Sequence, residues 1–273
     1  MDKHPAYKHN TPPQGKDRLF PKLTPVSILH YIKLVYRSLI FLACAGLYIY
    51  GKIKGVESLI SPIKNYHPIA FVVLGVYAIE MLLRFFPSKL ESPGCQKQFA
   101  RNYIKSGNVN IVIQDNNAVM LVAMVWIAFN FIFGALYMFN VLDEGIMLLL
   151  ACAYAVCDMI CILFFCPFQT WFLKNKCCSA CRIYNWDYAM MFTPLIFIRS
   201  IPAWILIGMS IMLLARWEIT FFRHPERFAE STNEYLKCAN CTEKLCTHKK
   251  QLKSLWVQTK AFSAERVKRL RKE

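Results

Sequence analysis

Apolar residues gather along this chain in five stretches, each near or above the roughly 20 residues that a helix needs to cross a bilayer. They cover residues 26–50, 68–86, 118–139, 145–165 and 188–222. A short turn with Asp143 and Glu144 joins the third stretch to the fourth, which predicts a tight helical hairpin. The pattern predicts an all-α fold of the polytopic helical membrane class.

The fifth stretch is too long for one ordinary span, and polar or helix-breaking residues interrupt its first half at Pro194, Arg199, Ser200 and Pro202. One interpretation is a hairpin or re-entrant segment that breaks near residues 199–202. The other is a single long tilted helix, with the first apolar stretch lying at the membrane interface. Either interpretation lets the chain cross the membrane an even number of times. The first gives about five to six membrane segments, the last of them broken, and the second gives four spans.

The basic residues indicate orientation. The formal net charge is +16, and 56% of the residues are hydrophobic, more than one soluble core of this length would use. Lys and Arg crowd both terminal segments and the loops after the second and fourth stretches, which the positive-inside rule places in the cytoplasm. We therefore expect a multi-pass protein of the cell membrane with both termini cytoplasmic. Since topology accounts for the basic excess, no nucleic acid partner is expected.

Three regions follow from this pattern. Residues 1–25 form a polar cytoplasmic tail, residues 26–222 form the transmembrane domain, and residues 223–273 form a small cytoplasmic tail that is basic and contains cysteine. From Lys249 onward, apolar residues recur near helical spacing among Lys and Arg. This predicts a basic amphipathic helix, and we favour its binding to anionic lipid headgroups over binding to a protein or nucleic acid.

The chain has twelve cysteines, and most lie on the side that the basic loops mark as cytoplasmic. Reducing conditions there disfavour disulfides, so the spacing of the thiols is more informative. A two-residue gap lets two thiolates reach one metal ion, and it occurs twice. The candidate metal ligands are Cys166, Cys177, Cys178, Cys181, Cys238, Cys241 and Cys246.

Zinc or an iron-sulfur cluster could occupy such a site. Zinc needs four ligands, most simply Cys178, Cys181, Cys238 and Cys241, and would fasten the tail to the preceding loop. Cys166 followed by proline is typical of the end of ferredoxin-type cluster motifs, but the rest of those motifs is missing. The remaining interpretation is a set of unligated thiols.

Charged residues inside the apolar stretches are candidates for function because they are expensive in lipid. Asp158 lies deep in the fourth stretch, and Arg199 is its expected partner if the fifth stretch forms a hairpin. Glu80 and Arg84 are four residues apart in the second stretch, a spacing that lets them neutralise each other within one helix.

Two main hypotheses follow. The first is a membrane-anchored cytoplasmic metal site that serves redox chemistry or electron transfer, and the second is a transporter or channel-like protein that uses Asp158 and Arg199 with a structural zinc clasp. Residues 223–225, Arg-His-Pro, are similar to a string near the end of membrane isoprenylcysteine-type methyltransferases, which would imply a methyltransferase-type enzyme. Phosphate-loop, GxSxG and HExxH motifs are absent from the sequence, so it offers no support for a hydrolase or a nucleotide-driven pump. Whether the protein is an enzyme of another kind stays open.

Overall fold

The computed structural model describes residues 24–55, 68–87, 93–113, 115–173, 181–237 and 240. Within these residues the fold is all-helical, without a β-strand. The helices are α1 (Pro25–Lys54), α2 (Pro68–Leu83), α3 (Pro93–Gln98), α4 (Asn116–Met138), α5 (Glu144–Leu163), α6 (Asp187–Phe192) and α7 (Ile201–Arg223). Four of these helices, α1, α4, α5 and α7, are long and apolar enough to cross a membrane.

Local sequence explains where these long helices begin. Thr24, Asp143 and Ser200 are the N-caps of α1, α5 and α7, and each side chain accepts a hydrogen bond from a backbone N–H of the first turn. Proline follows the cap of α1 and lies in the first turn of α7, where its missing N–H costs nothing. Gly55 ends α1 in the left-handed conformation that glycine adopts without strain.

Helices α1 and α5 pack antiparallel over most of their lengths. Tyr48, near the end of α1, donates a hydrogen bond to Asp143 at the start of α5. Further along, Arg37 binds Asp158, and the ring of Tyr31 contacts that of Phe164. We call the end with Asp143 the turn end of the bundle, and the opposite end the loop end.

The fifth apolar stretch is broken into two arms. The first arm consists of a 3-10 turn, α6 and a second 3-10 turn at Thr193–Phe197. It runs beside α4 from the loop end towards the turn end. Arg182, at its start, binds Asn116, and Phe197, at its end, packs near Tyr137. The backbone leaves helical geometry at residues 198–200, and α7 then returns to the loop end.

The surface of α1 has the polarity expected in lipid. Its buried side chains include His30, Lys33 and Arg37, whereas large apolar side chains on the other side are exposed. The exposed set on α1 is Ile28, Ile32, Val35, Leu39, Leu42, Leu47, Ile49, Tyr50 and Ile53. A water-soluble helix would show the opposite arrangement. The apolar helices therefore indicate a membrane-embedded protein in contact with lipid.

The loop end is closed by two segments far apart in sequence. Residues 93–113 contact the chain that follows α7, where Lys105 and Asn233 form an isolated antiparallel bridge. The Asn233 amide also donates hydrogen bonds to the carbonyls of Lys97 and Arg227. Asn233 is fully buried, so the start of the C-terminal region belongs to the folded bundle.

Gly134 permits the close approach of α4 to the arm at Thr193–Phe197. A Cβ at Gly134 would lie 2.2 Å from Cζ of Phe197, whereas a Cβ at Gly208 on α7 would meet nothing within 4 Å. We expect Gly134→Ala to destabilise the protein by about 1–3 kcal/mol through overpacking. Gly208→Ala, the matched control, should stabilise it by about 0.5–1 kcal/mol because alanine favours helix.

Thermal unfolding of the two purified variants in detergent would measure this difference. Adding Phe197→Leu to Gly134→Ala should restore part of the loss, because it shortens the side chain that the new methyl group meets. Equal melting temperatures for the two alanine variants would contradict the close packing.

Candidate functional site

The most unusual feature of the bundle is a buried group of charges, which we call the charge cluster. It consists of Lys33, Arg37, Glu80, Arg84, Asp158 and Asp187. These side chains come from α1, from α2 and the turn that follows it, from α5 and from α6, so four separate segments must pack correctly to bring them together. Three cations face three carboxylates, which leaves the cluster with no formal net charge.

Arg37 lies at the centre of the charge cluster and is 1% exposed. Its guanidinium donates to Glu80 over 2.7 Å, to Asp158 over 2.9 Å and to the backbone carbonyl of Ala155 over 3.1 Å. It also lies 5.4 Å from the ring centre of Tyr77, a cation–π distance. Arg37 thereby ties α1 to α2 and α5.

Glu80 is held by more than one partner. The hydroxyl groups of Tyr36 and Tyr188 both donate to its carboxylate, the second over 2.9 Å, and the Lys33 ammonium lies 3.4 Å away. A buried carboxylate is stable in an apolar interior only when such donors replace water. These contacts explain how Glu80 is accommodated in the apolar helix α2.

Arg84 and Asp187 form the second half of the charge cluster. The two side chains are 3% and 6% exposed, and their closest nitrogen and oxygen atoms are 2.6 Å apart. The backbone N–H of Tyr188 donates to Asp187 over 2.8 Å, and the Tyr188 ring lies 4.7 Å from the guanidinium carbon of Arg84. Tyr188 links both halves because its hydroxyl reaches Glu80.

The structure corrects the charge pairing expected from sequence. Arg37 binds Asp158, whereas Arg199, its expected partner, is exposed beside the N-cap of α7. Glu80 and Arg84 each bind a residue on another helix, Arg37 and Asp187 respectively, so their four-residue spacing does not explain their burial. Sequence spacing reveals i,i+4 neighbours but not ion pairs between helices.

A cavity of about 250 Å³ adjoins the charge cluster at the loop end. It lies between α5 and the arm that begins at Cys181, and most of its lining is aromatic or apolar. Asp158 and Asp187 both face it. Four cysteines also line it: Cys157, Cys161, Cys166 and Cys181.

Two of the predicted metal ligands fall within the described residues. Cys181 is buried, Cys166 is half-buried, and both line the cavity. Cys177, Cys178, Cys238, Cys241 and Cys246 lie outside the described residues, as does the helix predicted from Lys249 onward. In the part of the chain that is described, no three His, Cys, Asp or Glu residues are arranged to hold a metal ion.

The turn end carries a smaller polar site. Asp143 accepts hydrogen bonds from Tyr48 and from the N–H of Ile146, and the Lys52 ammonium lies 2.8 Å away. Burial would raise the pKa of Asp143, but these donors outweigh it and hold the pKa below its usual value. The side chain is 41% exposed, so this site caps α5 and adds little electrostatic energy.

Three members of the charge cluster, Lys33, Arg37 and Asp187, were not among the residues that the sequence singled out. Lys33 and Arg37 interrupt the first apolar stretch, where they indicate only an amphipathic start, and their partners lie 43 or more residues away. Asp187 precedes the fifth stretch by one residue. The sequence offered one signal for Asp187: a carboxylate at the edge of an apolar stretch needs a cation as its partner.

The Arg-His-Pro string has a plain structural position. His224 follows the end of α7, its Nδ1 lies 3.1 Å from Glu226, and Pro225 opens a 3-10 turn. No protein family, curated protein or solved structure matches this chain.

Proposed function

We propose that this chain is a multi-pass membrane protein that carries a cysteine-ligated metal centre at its loop end and serves membrane redox chemistry. The supporting observation is the position of Cys181, the second cysteine of its Cys-x2-Cys pair. It is buried and lines the same cavity as Cys161 and Cys166. A thiol held inside the fold at the base of a polar loop is well placed for ligation.

The anchoring of the two cysteine segments supports one shared site. Asn185, four residues after Cys181, donates a hydrogen bond to Gln98 of α3 over 2.9 Å. Asn233, five residues before Cys238, donates to the carbonyl of Lys97 on the same short helix. Both Cys-x2-Cys pairs are therefore close in sequence to residues fixed on α3, and four cysteines complete a tetrahedral site.

The orientation of the protein in the membrane is part of the proposal. The loop end carries Lys97, Arg101, Lys105 and Arg182, whereas Asp143 and Glu144 lie at the turn end. The positive-inside rule then places the loop end in the cytoplasm. Cysteines there stay reduced and available to a metal. On this orientation the C-terminal basic helix, still a prediction, would meet anionic headgroups.

The transport hypothesis has less support. It retains Asp158, which faces the cavity, but it loses Arg199 as the partner of that carboxylate. Asp158 is bound by Arg37 within a cluster of balanced charge, an arrangement that also serves to hold helices together. We therefore favour the metal centre over transport as the basis of the protein's function.

Metal analysis tests the proposal on full-length protein purified without oxygen. Iron with sulfide and absorption near about 400 nm would identify a cluster for electron transfer. Colourless protein with about one zinc per chain would identify a structural clasp and overturn the redox assignment. Protein with neither metal in stoichiometric amount would overturn the centre itself.

Matched variants test the ligands. The double variant Cys178→Ser/Cys241→Ser removes one thiol from each pair and should lose the metal. Cys44→Ser/Cys152→Ser changes the same number of thiols at the contact of α1 with α5, and it should keep the metal. Equal metal content in the two variants would contradict the ligand assignment.

A further inference from the structure

Cys161 and Cys166 form a contacting pair of thiols where α5 ends. The side chains of Cys161 and Cys166 form a hydrogen bond. The backbone N–H of Gln169 donates to the Cys166 sulfur over 3.4 Å. The Gln169 N–H holds the Cys166 sulfur in place, and Cys161 lies beside it, one turn back on α5. The two sulfurs are therefore placed to form a disulfide.

The cavity beside this pair suits a flat apolar molecule. Both thiols line it, together with the rings of Trp126, Tyr154 and Phe168. Its volume of about 250 Å³ exceeds the roughly 150 Å³ at which an apolar protein cavity binds benzene. Aromatic walls stack on a planar ring. The cavity therefore has the size and lining for one substituted aromatic or quinone ring.

The cavity also has access from the bilayer. Cys157 lines it and is exposed on α5, one of the helices long and apolar enough to cross a membrane. The Cys157 side of the cavity thus reaches a surface that lipid covers. A ligand dissolved in lipid can enter there without passing through water.

We propose that Cys161 and Cys166 are a redox-active dithiol that reduces a lipid-soluble quinone bound in this cavity. The Cys166 thiolate adds to the quinone ring. The Cys161 sulfur then attacks that of Cys166, and the carbon–sulfur bond breaks with its electron pair returning to the ring. The two thiols lose two electrons and two protons as the disulfide forms, and the quinone gains both to become the hydroquinone.

This reaction does not depend on the metal centre, because neither thiol is among the four cysteines of the simplest site. On the cytoplasmic side the thiol pool would reduce the disulfide again. A second thiol pair provides the control: Cys152 on α5 and Cys44 on α1 form a hydrogen bond, and neither residue lines the cavity. Both pairs have hydrogen-bonded thiols, but only Cys161 and Cys166 line the cavity.

The experiment uses full-length reduced protein in lipid nanodiscs and a short-chain benzoquinone. We expect about one hydroquinone per chain, by absorbance, and a Cys161–Cys166 disulfide, by mass spectrometry after alkylation of the remaining thiols. Cys161→Ser and Cys166→Ser should abolish hydroquinone formation. Cys44→Ser/Cys152→Ser should retain it, and so should Cys238→Ser/Cys241→Ser, which removes the metal centre alone.

Three outcomes would overturn the proposal. A disulfide that forms with diamide but not with the quinone would show a reactive pair without the proposed substrate. Hydroquinone produced equally by the Cys161→Ser and Cys166→Ser variants would place the reaction elsewhere. Loss of the reaction in Cys238→Ser/Cys241→Ser would assign it to the metal centre, whereas its persistence in protein without metal would separate the two proposals.

Discussion

Arg37→Met should destabilise the protein by about 3–5 kcal/mol, the usual cost of removing one partner from a buried ion pair. The guanidinium binds Glu80, Asp158 and a backbone carbonyl, and its loss leaves Asp158 without its bound cation inside the bundle. Denaturation in mixed micelles with increasing SDS would measure the change.

Arg199→Met is the matched control for Arg37→Met. The same change is made to an arginine that the sequence suggested as the partner of Asp158 but that is exposed in the structure. Its effect should stay within about 0.5 kcal/mol, as for most surface substitutions. A larger loss for Arg199→Met than for Arg37→Met would contradict the charge cluster.

A double-mutant cycle on Arg84 and Asp187 should show strong coupling. Arg84→Met and Asp187→Leu should each cost about 3–5 kcal/mol, because each leaves one buried charge behind. The double variant removes both charges and should cost less than the sum of the two single variants, with a coupling energy of about 1–3 kcal/mol. Recovery will be incomplete because Asp187 also accepts the N–H of Tyr188.

Arg182 and Glu218 provide the control cycle. This pair joins the arm before α6 to α7, and its side chains are 12% and 21% exposed, so water screens it more than the Arg84–Asp187 pair. A smaller coupling energy is expected for Arg182→Met/Glu218→Leu. Additive effects at Arg84 and Asp187 would show that the two residues do not act as a pair.

Hydropathy was sufficient to locate the long helices. The stretches at residues 118–139 and 145–165 became α4 and α5 with ends shifted by no more than two residues, because a helix in lipid must satisfy its own backbone. The proline and polar residues near position 200 coincide with the end of one arm and the N-cap of α7. These features depend on residues close together in sequence.

The charge cluster could be anticipated only in part. Asp158 stood out because a carboxylate is costly in an apolar helix. Its partner could not be identified, because Arg37 lies 121 residues away and its selection depends on how α1 packs against α5. Asp187 and Tyr188 join the cluster through α6, whose position is set by tertiary packing.

The contact between residues 93–113 and the chain beyond α7 imposes an order on biosynthesis. The backbone N–H groups of Ser106 and Glu234 donate hydrogen bonds to the carbonyls of Thr232 and Ile104. The Lys97 carbonyl accepts one from the side-chain amide of Asn233, which is translated 136 residues later. The loop after α2 therefore lacks these hydrogen-bond partners until α4 to α7 have been synthesised and inserted. A chain truncated before residue 232 would contain every long helix but would lack the contacts that close the loop end. Such a chain would be a target for membrane quality control.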